Sequence, residues 1–369
     1  MRAVPVSNPP NPWASTEVQY LDEAPPEVKL EVFEDQTRNI LSKNDSPDVG
    51  FTYSVNPYRG CFHACAYCYA RPSHEYLSLG AGTDFDRKIM VKLRAPELLR
   101  AAFAKRSWKK DVVVFSGVTD CYQPLEASYR LTRGCLEVCA DAANPAAIIT
   151  KAPLVERDVD VLQTLTKVAS VHVTVSIPIW DVERARAIEP YVATPQRRMR
   201  VIETLARAGV EVGVNVAPII PGLNDEDIPR ILTAAREAGA THAGSVLLRL
   251  PGSVKTVFEE RVRAALPLSA DRVLHRIRET RGGQLYDPRF GARGRGEGTY
   301  ALAIQTLFQT WARKLGFAKH GDAPRSDGGG PAARVANAEV AKPAPSSQMT
   351  FADFAASKVR VRSDGGGRS

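Results

Sequence analysis

Residues 56–70 read NPYRGCFHACAYCYA. Three of the chain's 6 cysteines fall in this stretch, spaced Cys61-x3-Cys65-x2-Cys68. The N-terminal MRAVPVSNPPNPWAST has no apolar core after its Arg and does not read as a secretory signal, so a reducing, cytoplasmic setting is expected. Crowded cysteines in such a setting point to metal ligation rather than disulfides. Three thiolates this close, on a loop after a strand, can each bind one iron of a cubane cluster. One iron is then left without a protein ligand, and an open coordination position is what a catalytic metal site needs. The alternative is zinc on Cys61, Cys65 and Cys68 with His63 or His74. Zinc sites more often pair C-x2-C or C-x2-H elements, so the spacing favours iron.

Outward from this loop the pattern alternates. FTYSVNPY (51–58) reads as a strand that runs into the cysteines. Apolar, β-branched runs at 111–118, 146–152, 170–179, 210–220 and 243–251 read as buried parallel strands. Amphipathic segments at 95–108, 129–143, 154–168, 194–209, 224–239 and 253–266 read as helices. The clearest has Thr194 as N-cap, Pro195 at its first position and Gly209 as its stop. Alternating βα units imply a parallel sheet with right-handed crossovers. Such a sheet can close into part of a barrel or lie open and doubly wound, and periodicity leaves both open. In either form ligands sit at the C-terminal strand ends.

The flanks differ from this core. The chain has 369 residues, 44% of them hydrophobic and 24% charged, enough for a large buried core and too apolar for a wholly disordered chain. No run of apolar residues is long enough for a transmembrane helix, so no membrane partner is expected. Residues 1–49 form an acidic, Pro-rich leader whose KLEVFEDQ is a short-strand candidate. Residues 50–267 are the βα core, 268–317 a basic C-terminal extension, and 318–369 a low-complexity tail expected to be disordered. The net charge is +8, and the positive excess lies beyond residue 270. The segment RGGQLYDPRFGARGRGEG (281–298) carries Arg289, Arg293 and Arg295, with Tyr286 and Phe290 able to stack on a base. Nucleic acid through residues 271–317 is therefore a candidate partner, against a plain solvated surface. MTFADF (349–354) is a docking candidate, though a chance fluctuation explains it as well.

C-x3-C-x2-C with Tyr67 before its last cysteine, after a first strand and opening a βα series, resembles the radical S-adenosyl-L-methionine (SAM) superfamily. The resemblance implies an α/β fold: a partial (β/α)6 barrel of the radical SAM type, with a C-terminal helical extension. It also implies a [4Fe-4S] cluster on Cys61, Cys65 and Cys68 whose open iron is chelated by SAM. The reduced cluster of that family cleaves SAM to methionine and a 5′-deoxyadenosyl radical. A reducing donor such as flavodoxin or ferredoxin is implied as a partner.

Groups suited to SAM recur at the strand ends. Ser116, Gly117, Thr119 and Asp120 follow the second strand and offer close backbone approach and acceptors for an ammonium. Lys151 ends the third and suits a carboxylate as a point charge. Ser176 on the fourth offers a hydroxyl, and Asn215 on the fifth suits ribose hydroxyls. CAYCYA, with TK and VSI at successive strand ends, looks like the spore photoproduct lyase branch, and NPYRGC, GVTDCYQPLE and YDPRFGARGRGEG resemble a bacterial group related to it without an assigned reaction. That branch implies roles for Tyr67 and Tyr69 and for a hydrogen-donor Cys after the second strand, here Cys121. A buried small residue explains Cys121 equally well. Cys135 and Cys139 share one helix face and read as core rather than a second metal site. The expected function is hydrogen abstraction, on a nucleic acid or modified base. The alternatives are a small-molecule or peptide substrate, or a non-enzymatic nucleic-acid-binding protein stapled by a metal.

Overall fold

The computed structural model describes residues 30–318 and the backbone of a short strand near the N-terminus. The rest of the leader, the tail from residue 319 and MTFADF lie outside the described residues. In chain order the strands are β1 (Val4–Pro5), β2 (Glu31–Glu34), β3 (Leu41–Lys43), β4 (Tyr53–Val55), β5 (Tyr58–Arg59), β6 (Lys88–Val91), β7 (Val113–Phe115), β8 (Ala146–Thr150), β9 (Val171–Ser176), β10 (Glu211–Ile219) and β11 (His242–Leu247). The helices are α1 (Thr83–Arg87), α2 (Ala95–Phe103), α3 (Glu126–Tyr129), α4 (Leu131–Asp141), α5 (Val159–Val168), α6 (Val182–Ile188), α7 (Pro195–Arg207), α8 (Ile228–Glu237), α9 (Val254–Ala265), α10 (Pro267–Glu279), α11 (Ala292–Arg295) and α12 (Gly298–Lys314).

The main sheet runs β3-β4-β7-β8-β9-β10-β11. From β4 onward every pairing is parallel, and β3 adds an antiparallel edge. The order never reverses, whereas a doubly wound sheet reverses at its switch point. A monotonic order with right-handed crossovers puts every helix on one side, so the sheet curls. Its ends, β3 and β11, do not pair, so the barrel is partial.

The two faces follow from the period of two. Val113, Phe115, Ile148, Val173, Val175, Val212 and Val214 face the helices and belong to the main apolar core. The alternate positions form the inner face, where the small or polar Ser54, Ser116, Thr174, Ser176, Gly213 and Asn215 stand beside Val114, Ala147 and Ile149.

A second sheet, β1-β2-β6-β5, stands beside the first. The KLEVFEDQ strand exists as β2 and pairs in parallel with β6. Val32, Tyr58, Ile89 and Val91 make its small core. The expected strand at 51–58 is divided. Asn56 and Pro57 end β4, and Tyr58–Arg59 crosses to the second sheet as β5. The expected helix at 129–143 is also divided, because Arg130 adopts φ 52° between α3 and α4. β6 and α6 had no sequence signal strong enough to place them. The helix at 194–209 forms as expected, with the Thr194 hydroxyl accepting from the Arg197 N–H at 3.3 Å.

Candidate metal and cofactor site

Cys61, Cys65 and Cys68 are free thiols on the loop that follows β5, the first two buried and the third half-buried. The loop is held from several sides. Gly60 has φ 80°, and a Cβ there would lie 2.9 Å from the Phe85 carbonyl and the His74 ring, so only glycine fits. The Cys61 N–H donates to the Phe85 carbonyl at 3.0 Å, and the Ala66 N–H to the Ile188 carbonyl at 2.9 Å. Gln123, fully buried, accepts from the Phe62 N–H and donates to the Gly60 carbonyl, each at 3.1 Å. Arg71 donates through Nε to the Cys65 carbonyl at 3.0 Å and through Nη2 to Asp86 at 2.9 Å. Gln123 and Arg71 were missed by sequence reasoning. Gln123 lies within GVTDCYQP, but its type gives no hint of a clamp, and a buried Arg has no local pattern.

The strand register assembles the expected cofactor residues. Ser176 pairs with Asn215, and Asn215 with Gly244. Thr150 pairs with Val175, which puts Lys151 beside Ser176. Lys151, Ser176, Asn215 and Gly244 thus form one row across β8 to β11, at the C-terminal ends of β8 and β9 and midway along β10 and β11. A Cβ on Gly244 would lie 3.1 Å from Asn215 Oδ1, so the missing side chain leaves a cradle. The Lys151 ammonium lies 5.7 Å from the centre of the Tyr67 ring, which ties the row to the cysteine loop.

The loop after β7 has mainly structural bonds. Ser116 (φ 77°) accepts from the Cys121 N–H at 2.8 Å. Gly117 accepts the Tyr69 hydroxyl at 2.7 Å, and a Cβ on it would lie 3.0 Å from Ser54. Thr119 donates to the Tyr58 carbonyl at 3.0 Å. Asp120 accepts from the Lys151 N–H at 2.7 Å, the Thr150 hydroxyl at 2.7 Å and the Tyr122 N–H at 2.9 Å. Its other neighbour is His63 Nδ1 at 3.4 Å. Burial opposes its charge, but these donors hold the Asp120 carboxyl at about 2. Asp120 thereby pins the end of β8 to the cysteine loop. Burial likewise opposes a charged His63, yet Cys61 and Asp120 raise it to about 10. His74 Nε2 is bonded to the Lys88 carbonyl at 2.9 Å, away from the thiols' role.

Under the loop lies a buried charged brace. The Tyr67 hydroxyl donates to Glu189 Oε1, and Arg198 Nη2 donates to Glu189 Oε2 at 2.7 Å. Arg198 Nη1 donates to the Ser176 carbonyl at 2.8 Å. The brace therefore runs from the residue before Cys68 to the strand end that carries Ser176. Arg198 Nε is buried without a partner.

Cys121 follows β7 on the loop that carries Ser116 and Asp120. It is 1% exposed and packs in the main core, with its carbonyl accepting the Thr132 hydroxyl at 2.6 Å. Tyr67 and Tyr69 are at the site, each with its hydroxyl bonded to the scaffold. Cys135 and Cys139 are both fully buried core residues. In the Arg-rich segment, Arg289 pairs with Asp287 at 2.6 Å and Glu297 at 2.9 Å, and Arg293 pairs with Asp48. Two of the three expected phosphate-binding arginines thus have carboxylates of their own, and Arg295 is exposed.

The donor set fits an iron–sulfur centre. Burial raises the Cys65 thiol, and it raises Cys68 to about 11, with Cys61 adding to both. Neighbouring buried thiols that resist ionisation are compensated by a metal cation. Among the described residues no three His, Cys, Asp or Glu side chains converge on a single ion. A cubane asks for less, one thiolate per iron. Lys151 beside Cys65 and the glycine cradle in the strand-end row suit a bulky cofactor that carries a carboxylate.

Residues 55–235 match the family profile described as the radical SAM superfamily. An uncharacterised protein of Mycobacterium tuberculosis is 39% identical over 210 residues, 56% of this chain and 62% of that protein. The chain thus spans less than two thirds of that relative's length. An uncharacterised protein of Methanocaldococcus jannaschii is 30% identical over 197 residues, 53% of this chain and 71% of that protein. Spore photoproduct lyase complexed with dinucleoside spore photoproduct superposes with a TM-score of 0.55, over 77% of this chain and 79% of that one, at 14% identity. That likeness is one of fold. The chain belongs to the radical SAM superfamily. Members of this family normally use a [4Fe-4S] cluster and SAM.

Proposed function

We propose that this protein is a radical SAM enzyme that holds a [4Fe-4S] cluster on Cys61, Cys65 and Cys68. The observation that carries this reading is the junction of the three-thiol loop with the strand-end row through Tyr67, Glu189, Arg198 and Ser176. When bound and reduced, the cluster would supply the single electron that cleaves SAM to methionine and a 5′-deoxyadenosyl radical for hydrogen abstraction. Lys151 neutralises the SAM carboxylate, Ser176 and Asn215 donate to its polar groups, and Gly244 leaves room for them. Arg71 and Gln123 hold the ligand loop rigid, which limits reorganisation around the centre. Flavodoxin or ferredoxin is the class of electron donor that suits this chemistry.

For the substrate we favour a nucleic acid or modified base. The fold likeness to a lyase complexed with a dinucleoside photoproduct supports this reading, as does the exposed pair Arg295 and Phe290 on the basic extension. The internal pairing of Arg289 and Arg293 favours the second reading, a small molecule or peptide. The test is electron paramagnetic resonance of the anaerobically reconstituted, dithionite-reduced protein. A cluster signal whose shape changes when SAM is added is the expected result. A signal indifferent to SAM overturns the proposal.

A further inference from the structure

In the two layers below the strand-end row, the inner face carries a polar group that the reading above does not use. His172 on β9 and His242 on β11 flank Glu211 on β10. His172 Nδ1 lies 2.9 Å from Glu211 Oε2, and His242 Nδ1 lies 3.9 Å from Glu211 Oε1. His242 Nε2 lies 3.3 Å from the Thr174 hydroxyl. The two rings stand edge to face at 6.1 Å. Their strands alternate in step, so His172, Thr174 and Ser176 share the inner face, as do Glu211, Gly213 and Asn215. His242 pairs in register with Gly213. A Cβ on Gly213 would lie 2.2 Å from His242 Nε2, so the imidazole occupies the space of the missing side chain. That ring therefore lies across the neighbouring strand inside the barrel. The His172, His242 and Glu211 side chains keep 27%, 14% and 39% exposure, so the group is reachable.

We propose that His172, Glu211, His242 and Thr174 form the floor of the substrate chamber and bind the N–H edge of a neutral heterocycle, a cyclic amide or imide. Thr174 and His242 lie two residues of strand below the row at Ser176 and Gly244, roughly 7 Å, and His172 and Glu211 lie four residues below it, roughly 13 Å, so the group spans the depth of a flat ring and its substituent beneath the cofactor row. His172 Nδ1 faces Glu211 Oε2 as a donor, and the two nitrogens of His242 each face a hydroxyl at 3.3 Å, Thr241 at Nδ1 and Thr174 at Nε2, so the exposed Glu211 carboxylate and these hydroxyl oxygens are the acceptors of the floor. An acceptor-rich floor selects ligands with N–H donors. A carboxylate on that floor disfavours phosphates and other anions. The small and apolar neighbours Ala147, Ile149 and Val114 on the same face suit a flat ring rather than a chain. This inference rests on the nucleobase reading of the substrate and names the residues that would read it.

The test uses thymidine, a neutral nucleoside with an imide edge, and the full chain with ring-labelled histidine. The chain has 6 histidines, so substitution assigns the spectrum. Thymidine is expected to shift the ring signals of His172 and His242. Binding should weaken at least about tenfold in His242→Phe, which keeps a ring but removes its hydrogen bonds. Glu211→Gln is the second variant, expected to weaken binding without displacing either ring. Thermal melting checks that both variants fold. No shift at either histidine, or equal affinity in both variants, overturns the proposal. Formation of 5′-deoxyadenosine by the wild type is measured separately. Radical chemistry without histidine shifts would sink the chamber floor alone, and histidine shifts without radical chemistry would sink the enzymatic reading alone.

Discussion

Arg198 and Glu189 meet at 2.7 Å where their side chains are 1% and 0% exposed. Glu189 also takes the Tyr67 hydroxyl, and Arg198 also holds the Ser176 carbonyl. The pair thus joins the cysteine loop to the strand that carries a cofactor candidate. Burial opposes the Glu189 charge, but Arg198 and Lys151 outweigh it and lower its pKa. Removing one partner of a buried pair leaves the other charge uncompensated, at a cost of about 3–5 kcal/mol. Arg198→Met should lose stability of that order in urea unfolding of the apoprotein. Tyr67→Phe removes a single hydrogen bond to a charged group and should cost about 1.5–3 kcal/mol. A loss below about 1 kcal/mol for Arg198→Met, within the range of an exposed pair, would show that the brace is not buried in solution.

Asp120 gives a pH signature. Its folded pKa of about 2 lies below the ordinary 3.8. A depressed carboxylate binds its proton less readily in the folded state, so its contribution is complete above the unfolded value. It is lost as pH falls from about 4 towards 2, and amounts to about 2 kcal/mol. Acid unfolding of Asp120→Asn should lack this component and run flatter over that window. An unchanged slope would contradict the hydrogen bonds assigned to the carboxylate.

Lys151 separates cofactor binding from cluster binding. Lys151→Met should retain iron, because all three cysteines remain, and should bind SAM at least about tenfold more weakly through loss of a charge-assisted contact. Equilibrium dialysis against labelled SAM, with iron measured on the same sample, checks both halves. Equal SAM affinity would remove Lys151 from the cofactor row.

The basic extension makes a prediction about salt. Arg289 and Arg293 already face Asp287, Glu297 and Asp48, whereas Arg295 is exposed. Arg295→Ala should reduce the salt slope of single-stranded DNA binding by about 0.7, one phosphate contact. Arg289→Ala should change it less. The opposite order would mean that the internal pairs open when nucleic acid binds.

The sequence made much of this architecture legible, for particular reasons. The six parallel strands are apolar runs bounded by turns, and each helix between them has a periodic apolar face. The cysteine spacing is local, so the ligand loop could be read directly. What was not legible depends on register or distance. The choice between barrel and open sheet is set by strand order, which periodicity does not carry. β3, β5 and β6 are short, and their pairing is with strands distant in sequence. Lys151 and Ser176 stand out in the sequence because they end strands, whereas Asn215 lies midway along β10 and Gly244 shares its row only through the β10–β11 register. Arg71, Gln123, Glu189 and Arg198 were missed because the bonds that give them a role reach across the fold.

The most direct test of the central claim is anaerobic and chemical. The protein is reconstituted with iron and sulfide, reduced with dithionite and given SAM, and 5′-deoxyadenosine is quantified beside a Cys61→Ala, Cys65→Ala, Cys68→Ala triple variant. Iron bound by the wild type, with 5′-deoxyadenosine formed by the wild type alone, is the predicted result. Zinc in place of iron, with no 5′-deoxyadenosine from either protein, would contradict the account and leave a structural metal site in its place.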